Sequence, residues 1–423
     1  MLAGIDGVRQ SAQNQTLDLP NGLIGNLTID LISDWNDSLW KGREGSGERD
    51  NKIPSPQSPN QTERIFFNES VASEREASMI DAPARNAGLL KMNHPHVAIV
   101  GATGAVGVEM LLCLEQRNFP LGKLKLLASA RSAGKTMKFR GEDIVVEELT
   151  HDSFSDVDIA LFSAGGGISL EFAPSAAAAG AVVIDNSSAF RMEADVPLVV
   201  PEINPEAAKN HPRNIIANPN CTTIISLMAL APLHQAFGLR SVIASTYQAV
   251  SGSGAQGIVE LEEQMQAITT GQPFTPKVYP RQIAFNVIPQ VDAFTENGYT
   301  KEELKMGNEG RKIMSLPELR VSCTCVRVPV YRSHSVSITA QFERPVDASA
   351  ARAAFLNKPG VQVVDDIANK VFPVPLDTTG KDDCLVGRIR KNLVFENALD
   401  LWVVGDQVRK GAALNAVQIA EIL

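Results

Sequence analysis

From position 96 onward, short apolar runs alternate with longer segments of helical period. Val97-Ala-Ile-Val100 is apolar and β-branched throughout, as expected of a strand buried on both faces of a parallel sheet. It leads directly into Gly101-Ala-Thr-Gly-Ala-Val-Gly107, and VEMLLCLEQRNF then has helical spacing. The series continues through KLLAS (125–129), DIVVEEL (143–149), VDIALFSAG (157–165), the helical EFAPSAAAAG, and AVVIDNS (181–187). Strands alternating with helices predict a doubly wound α/β domain. Beyond Asn218-Pro-Asn-Cys-Thr-Thr223 the pattern mixes. IISLMALAPLHQAF reads as a helix, and SVIASTYQAV (241–250) and HSVSITAQF (334–342) as strands of a second, α+β domain. The last segment, LWVVGDQVRKGAALNAVQIAEIL, reads as a strand and a helix that return to the first domain.

Residues 1–91 lack this pattern. GREGSGERDNKIPSPQSPNQTER is rich in Gly, Ser, Pro and charge and has almost nothing to bury. The expectation is a disordered extension, or a misassigned start with Met92 as the true first residue. A secretory signal and an organellar transit peptide are both disfavoured, because the start lacks a basic, then apolar, run and acidic residues are scattered through it.

Composition narrows the function classes. The 423 residues are 44% hydrophobic and 21% charged, ordinary for a globular protein, and carry a net charge of −9. That balance argues against binding nucleic acid by bulk electrostatics, so an anionic ligand must be held by local Arg, Lys and backbone N–H groups. No apolar run of membrane-spanning length is present. Five cysteines without paired spacing argue against a disulfide framework and for a cytoplasmic setting.

Two constellations carry chemistry. Gly101, Gly104 and Gly107 stand between a strand and a helix, where glycines let the backbone approach a pyrophosphate at the helix start. After the second strand the chain offers Ser129, Arg131, Ser132 and Lys135 where an NAD enzyme places a carboxylate. Arg131 would pair with a 2′-phosphate that a carboxylate would repel, which favours NADP. Elsewhere, Cys221 opens an apolar helix, where the dipole favours thiolate. Arg327-Val-Pro-Val-Tyr-Arg-Ser-His334 sets a cation and an imidazole on or beside one strand. On spacing alone, a cysteine such as Cys221 more often fills a core, and a lone histidine such as His334 is usually structural.

Taken together, GATGAVG, LASARSAGK, ALFSAGG, NSSAFRM, NPNCTT, STYQAVSGSG, FNVIPQVD, CVRVPVYRSHS, VGRIRK and WVVGDQVRKGAA resemble the aspartate-semialdehyde dehydrogenases, collinearly from about residue 96. The resemblance implies a Rossmann-like NADP-binding domain over 92–220, completed by 402–423, and an α+β catalytic and dimerisation domain over 221–401. It implies Cys221 as nucleophile, His334 as acid/base catalyst, and Gln248 as the residue orienting the acyl group. Arg327 would grip the substrate carboxylate and Glu302 its amino group. Lys305, Arg191, Ser188 and Asn220 would form the phosphate set. Thr103, Ala105 and Val106 would join the three glycines at the cofactor, with Ser129, Arg131, Ser132, Ser251 and Gly252. The resemblance further implies aspartyl phosphate, aspartate semialdehyde and phosphate as ligands, and a homodimer. N-acetyl-glutamyl-phosphate reductase shares this logic, but Glu302 suits a free amino group rather than an acetylated one. A non-catalytic paralogue would be expected to have lost Cys221. One departure is the segment QPFTPKV between Gly271 and Tyr279, where the family often carries a longer or different loop. Cys323 and Cys325 lie two apart, on one face of a strand, and are expected to pack, as are Cys113 and Cys384.

Overall fold

The computed structural model describes residues 94–423, so the expectation for residues 1–91 lies outside it. The chain opens with β1 (His96–Val100), α1 (Ala105–Gln116), β2 (Lys123–Ala128), β3 (Thr136–Phe139), β4 (Glu142–Glu148) and β5 (Ile159–Phe162). It continues with α2 (Gly166–Ala178), β6 (Val182–Asp185), β7 (Ile215–Ala217), α3 (Cys221–Phe237), β8 (Leu239–Gln248) and α4 (Ala255–Thr270). Then come α5 (Lys301–Met314), β9 (Arg320–Arg327), β10 (His334–Phe342), α6 (Ala348–Ala354) and β11 (Val361–Val363). The last elements are α7 (Pro375–Thr378), β12 (Cys384–Lys391), β13 (Ala398–Gly405) and α8 (Leu414–Glu421).

The first sheet has the order β3-β4-β2-β1-β5-β6-β7. β1 pairs in parallel with β2 on one side and β5 on the other. The chain therefore reverses its winding at β1, which opens a crevice beyond the strands' carboxyl ends. Burial on both faces explains the unbroken apolar runs. Val97 and Ile99 enter a core closed by Met110, Leu114, Leu414 and Val417, while Ala98 and Val100 enter the opposite one with Phe172 and Ala173. The sheet is not wholly parallel, because β3 pairs antiparallel with β4. Arg140 and Gly141 both have positive φ there, 51° and 85°, as a tight two-residue hairpin requires.

The second sheet has the order β11-β12-β13-β10-β8-β9. Its inner face contributes Val242, Ala244, Val336, Ile338, Leu401 and Val403 to the core that also holds Ile224, Leu227 and Leu230 of α3. Thus α3 is covered on all sides, as its uniformly apolar sequence requires. The closing strand and helix part company. β13, including Trp402, pairs with β10 and β12 in the second sheet, so residues 402–405 lie there and not with the first sheet as expected. α8 buries Leu414, Val417 and Ile419 against the first sheet. Cys384 begins β12 and is buried, as its expected packing role requires.

Candidate active site

Asn220 decides how α3 begins. Its side-chain Oδ1 accepts from the Thr222 and Thr223 N–H groups at 3.0 and 3.1 Å, an N-cap that leaves Cys221 as the first helical residue. Ile224 N–H donates to the Asn220 carbonyl. Among the described residues, the Cys221 N–H has no partner. The Cys221 side chain is half-buried, and its sulfur lies 3.9 Å from the Thr222 hydroxyl.

The sequence expectation of a favoured thiolate meets a correction. Burial pushes the Cys221 thiol up to about 11 and the Glu302 carboxylate adds to this, while the Thr222 hydroxyl, Arg191 and Arg327 oppose it. In the free protein desolvation is the largest influence on the thiol.

Three candidate residues sit at the same end of three adjoining strands. Gln248 ends β8 and pairs with Arg327, which ends β9. His334 begins β10 on the other side of β8, next to the Ser335–Tyr247 pair. Arg327 and His334 therefore stand on separate strands and flank Gln248, not on or beside a single strand. The buried His334 ring accepts the Ala249 N–H at Nδ1, 3.1 Å, which leaves the proton of the neutral ring on Nε2. Burial, with the Arg327 charge, holds its pKa well below the ordinary histidine value.

Gln248 donates from Nε2 to Glu302 Oε1 at 3.1 Å and lies 3.5 Å from His334 Nε2. The same Glu302 oxygen accepts from Asn220 Nδ2 at 2.9 Å, and Oε2 accepts from Lys305 Nζ at 2.9 Å. Glu302 is thus the hub between the cysteine helix and the strand-end cluster. Lys305, Asn220 and Gln248 hold its carboxyl below the usual range, against the upward pull of burial. Arg327 spends one N–H on the Ala249 carbonyl at 2.7 Å and lies 6.0 Å from the Tyr279 ring centre. Most of its five donors remain for a ligand. Ser188, Arg191, Lys305 and Glu309 line a common cleft of about 250 Å³.

The glycine motif lies at the crevice beside β1. Gly101 has φ of +85°, and a Cβ on it would stand 2.5 Å from the Ser163 carbonyl oxygen. A Cβ on Gly107 would stand 2.3 Å from the Gly101 carbonyl oxygen, so α1 can approach the loop only over glycine. Gly104 caps α1, and Thr103, Ala105 and Val106 flank it. The first turn of α1 holds no acidic side chain. Thr103 and Ser132 hydroxyls are 3.5 Å apart, and Ser129 and Arg131 are exposed on the loop after β2. These residues form one cradle with hydroxyl and cationic edges, which fits a phosphorylated dinucleotide. Ser251 accepts a hydrogen bond from Gln407. Gly252 touches the other cluster, since a Cβ there would meet Arg327 Nη1 at 2.8 Å and His334 Cε1 at 3.1 Å.

Several contributors escaped the sequence reading. A Cβ on Gly411 would stand 2.8 Å from Cys221 Cβ, so the segment before α8 presses on the thiol's own residue. Gln407 accepts the Ser333 N–H at 2.7 Å and donates to Ser251, tying the residue before His334 to that turn. Ser333 has φ of 74°, uncommon for a residue with a side chain. Gly411 and Gln407 both lie in the recognised segment WVVGDQVRKGAA, which was the one available signal.

Comparison with known proteins agrees with this geometry. The family pattern described as semialdehyde dehydrogenase, NAD binding domain, matches residues 96–211, and the semialdehyde dehydrogenase dimerisation domain matches residues 230–410. The aspartate-semialdehyde dehydrogenase of Synechocystis sp. is 51% identical over 327 residues, covering 77% of this chain and 96% of that protein. The chain belongs to the aspartate-semialdehyde dehydrogenase family. The family's Aquifex aeolicus member is 53% identical over 331 residues, 77% of this chain and 97% of its own length. Aspartate semialdehyde dehydrogenase II of Vibrio cholerae, solved in complex with ASA, superposes with a TM-score of 0.77 at 48% identity, covering 78% of this chain and 98% of that one. A Candida albicans member of the family solved with NADP gives 0.62 at 26% identity, covering 78% of this chain and 98% of that one.

Proposed function

We propose that this chain reduces L-aspartyl-4-phosphate to L-aspartate 4-semialdehyde and phosphate with NADPH, through a thioester on Cys221. The observation that carries the reading is Glu302. Its carboxylate is bound at once by Asn220 beside the cysteine, Gln248 beside the histidine, and Lys305 on the cleft wall. A free ammonium group suits that acceptor, and the nearby Arg327 fork suits an α-carboxylate.

The Cys221 thiol first releases its proton to solvent, and the thiolate attacks the acyl carbon. A sulfur–carbon bond then forms, the carbon–oxygen bond to phosphate breaks, and Arg191, Ser188 and Lys305 hold the departing phosphate. Charge gathers on the acyl oxygen while the carbon is tetrahedral. The unpartnered Cys221 N–H and the Nε2–H of His334 are the donors for it. When bound in the Gly101–Gly107 cradle, NADPH supplies the hydride that takes the thioester to the aldehyde level. Arg131 would meet its 2′-phosphate. Collapse of the thiohemiacetal alkoxide then breaks the carbon–sulfur bond and returns the sulfur to Cys221 as thiolate, which regains a proton from solvent, while the Nε2–H of His334 stays hydrogen-bonded to the aldehyde oxygen.

The same reading divides the chain between a cofactor unit, completed by α8, and a catalytic and dimerisation unit, and it places the protein in the cytoplasm. The homodimer contact is proposed on the open face of the second sheet, where Ile243 is 50% and Tyr247 38% exposed. Ile243→Asp is expected to yield monomers by sedimentation, and an unchanged dimer would exclude that face.

The deciding experiment compares Cys221→Ser with wild type on the semialdehyde, phosphate and NADP. Turnover should fall by about three orders of magnitude or more, and near-normal turnover would overturn the reading. Assay with the N-acetyl-glutamyl substrate separates the rival reductase, whose exclusive use would replace this assignment.

A further inference from the structure

One buried carboxylate, outside all the roles above, holds two parts of the cleft together. Glu309 lies two turns beyond Glu302 on α5, on the same side of the helix, and is 2% exposed. Its Oε1 accepts from Arg191 Nη1 at 3.0 Å, and its Oε2 accepts from the Asn220 backbone N–H at 2.7 Å. Arg191 and Asn220 reach it from separate segments, one following β6 and the other preceding α3.

The consequence for Arg191 can be counted. Its Nε donates to the Asn218 carbonyl at 2.9 Å, Nη2 to the Asn186 carbonyl at 2.7 Å, and Nη1 to Glu309. A guanidinium has five N–H groups, so one remains on each terminal nitrogen. That pair is the fork suited to an oxyanion, and three fixed acceptors set its plane. The consequence for Asn220 is equally direct. Its N–H is fixed by Glu309, its Oδ1 caps the cysteine helix, and its Nδ2 reaches Glu302.

A carboxylate is a costly group to keep here. Burial and the neighbouring Glu302 charge push the Glu309 carboxyl up, with Arg191 and the Asn220 N–H opposing. Packing alone would favour an uncharged side chain at such a position.

We propose that Glu309 is a positioning residue that locks the Arg191 fork to the Pro219–Asn220 peptide, one residue before Cys221, so that a bound phosphate and the sulfur are held in one fixed register. The proposal rests on the reading of this cleft as an acyl-phosphate site.

Glu309→Gln tests it in the full-length protein. The amide has a single acceptor oxygen, so either Arg191 or Asn220 loses its partner. The Michaelis constant for inorganic phosphate should rise about tenfold, with that for NADP within twofold of wild type. A double-mutant cycle supplies the readout that a packing role would not move. In an Arg191→Lys background, Glu309→Gln should change the phosphate constant less than threefold, because the two residues act through one interaction. A phosphate constant within twofold of wild type, or parallel rises for phosphate, semialdehyde and NADP that are additive with Arg191→Lys, would overturn the proposal. Should the glutamine variant fail to fold, Glu309→Asp, which keeps the charge and withdraws it by one bond, is judged by the same criteria. Protection of Cys221 from iodoacetamide by phosphate keeps this inference separate from the catalytic one. If wild type is protected but does not turn over the semialdehyde, the proposed reaction falls, while the weaker protection expected in Glu309→Gln still supports the lock. No protection in wild type would overturn the lock as well.

Discussion

At Cys221 two influences on a thiol oppose each other. The helix start favours thiolate, while burial and Glu302 push the thiol up to about 11. The rate of alkylation of the free protein should therefore climb with pH through 9 and beyond. A plateau already reached near neutrality would contradict the geometry. His334 gives a second pH effect. Its folded-state pKa lies well below 6.5, so only the unfolded chain binds the proton between that value and 6.5. Stability is then full above the unfolded pKa and falls as pH drops below it, by up to about 1.4 kcal/mol per pH unit. Urea denaturation of wild type and His334→Asn should show the difference narrowing from pH 7.5 to 5.5 in the variant's favour. Cys221, Gln248, Arg327 and His334 were legible as candidates because they stand in recognisable segments, and Glu302 only through its place between two of them. Glu309 was not, because its importance lies in two partners 118 and 89 residues away in sequence. Gly411 carries no side chain, so only its packing on Cys221 reveals why it is glycine.

Among the elements, the β1–α1 unit was readable to within a few residues, since period and glycine spacing point the same way. The hairpin β3–β4 was missed on its first strand. Arg140-Gly141 is a weaker turn signal than Asn-Gly, and TMKF is too short to register by alternation. The strand-end cluster was half legible. Nothing in PVYRS says that the chain crosses β8 between Arg327 and His334, because register is a property of pairing. Glycine substitutions test these elements. Gly107→Ala places a carbon 2.3 Å from the Gly101 carbonyl, so α1 must shift, and the NADPH Michaelis constant should rise at least about tenfold. Gly411→Ala should instead lower the turnover number and leave NADPH binding within twofold, since its new carbon meets Cys221. Parallel losses in both variants would point to general unfolding rather than to two separate elements.

Across the whole molecule, a polar knot joins the nucleotide helix to the catalytic strands. Glu109 of α1 accepts from Arg332 at 2.8 Å and from Arg409 at 2.9 Å, and Arg332 also donates to Asp406 at 2.7 Å. Arg332 lies two residues before His334, and Arg409 two before Gly411. Glu109→Ala would leave both guanidinium groups without this carboxylate while Asp406 still pairs Arg332 and Asp382 still pairs Arg409, at a cost of about 1–3 kcal/mol measured by urea denaturation. A loss below about 1 kcal/mol would show that the knot contributes little.

The crossing of the chain after β13 also bears on how the protein is made. α8 covers the face of the first sheet that carries Val97, Ile99, Leu126 and Ile184, yet it is translated after every strand of the second sheet. A nascent chain stalled before Leu414 therefore carries an apolar surface that α8 would hide. Closure of the first core waits on α8, and a product cut short before it is marked for chaperones or proteases by the face it cannot cover.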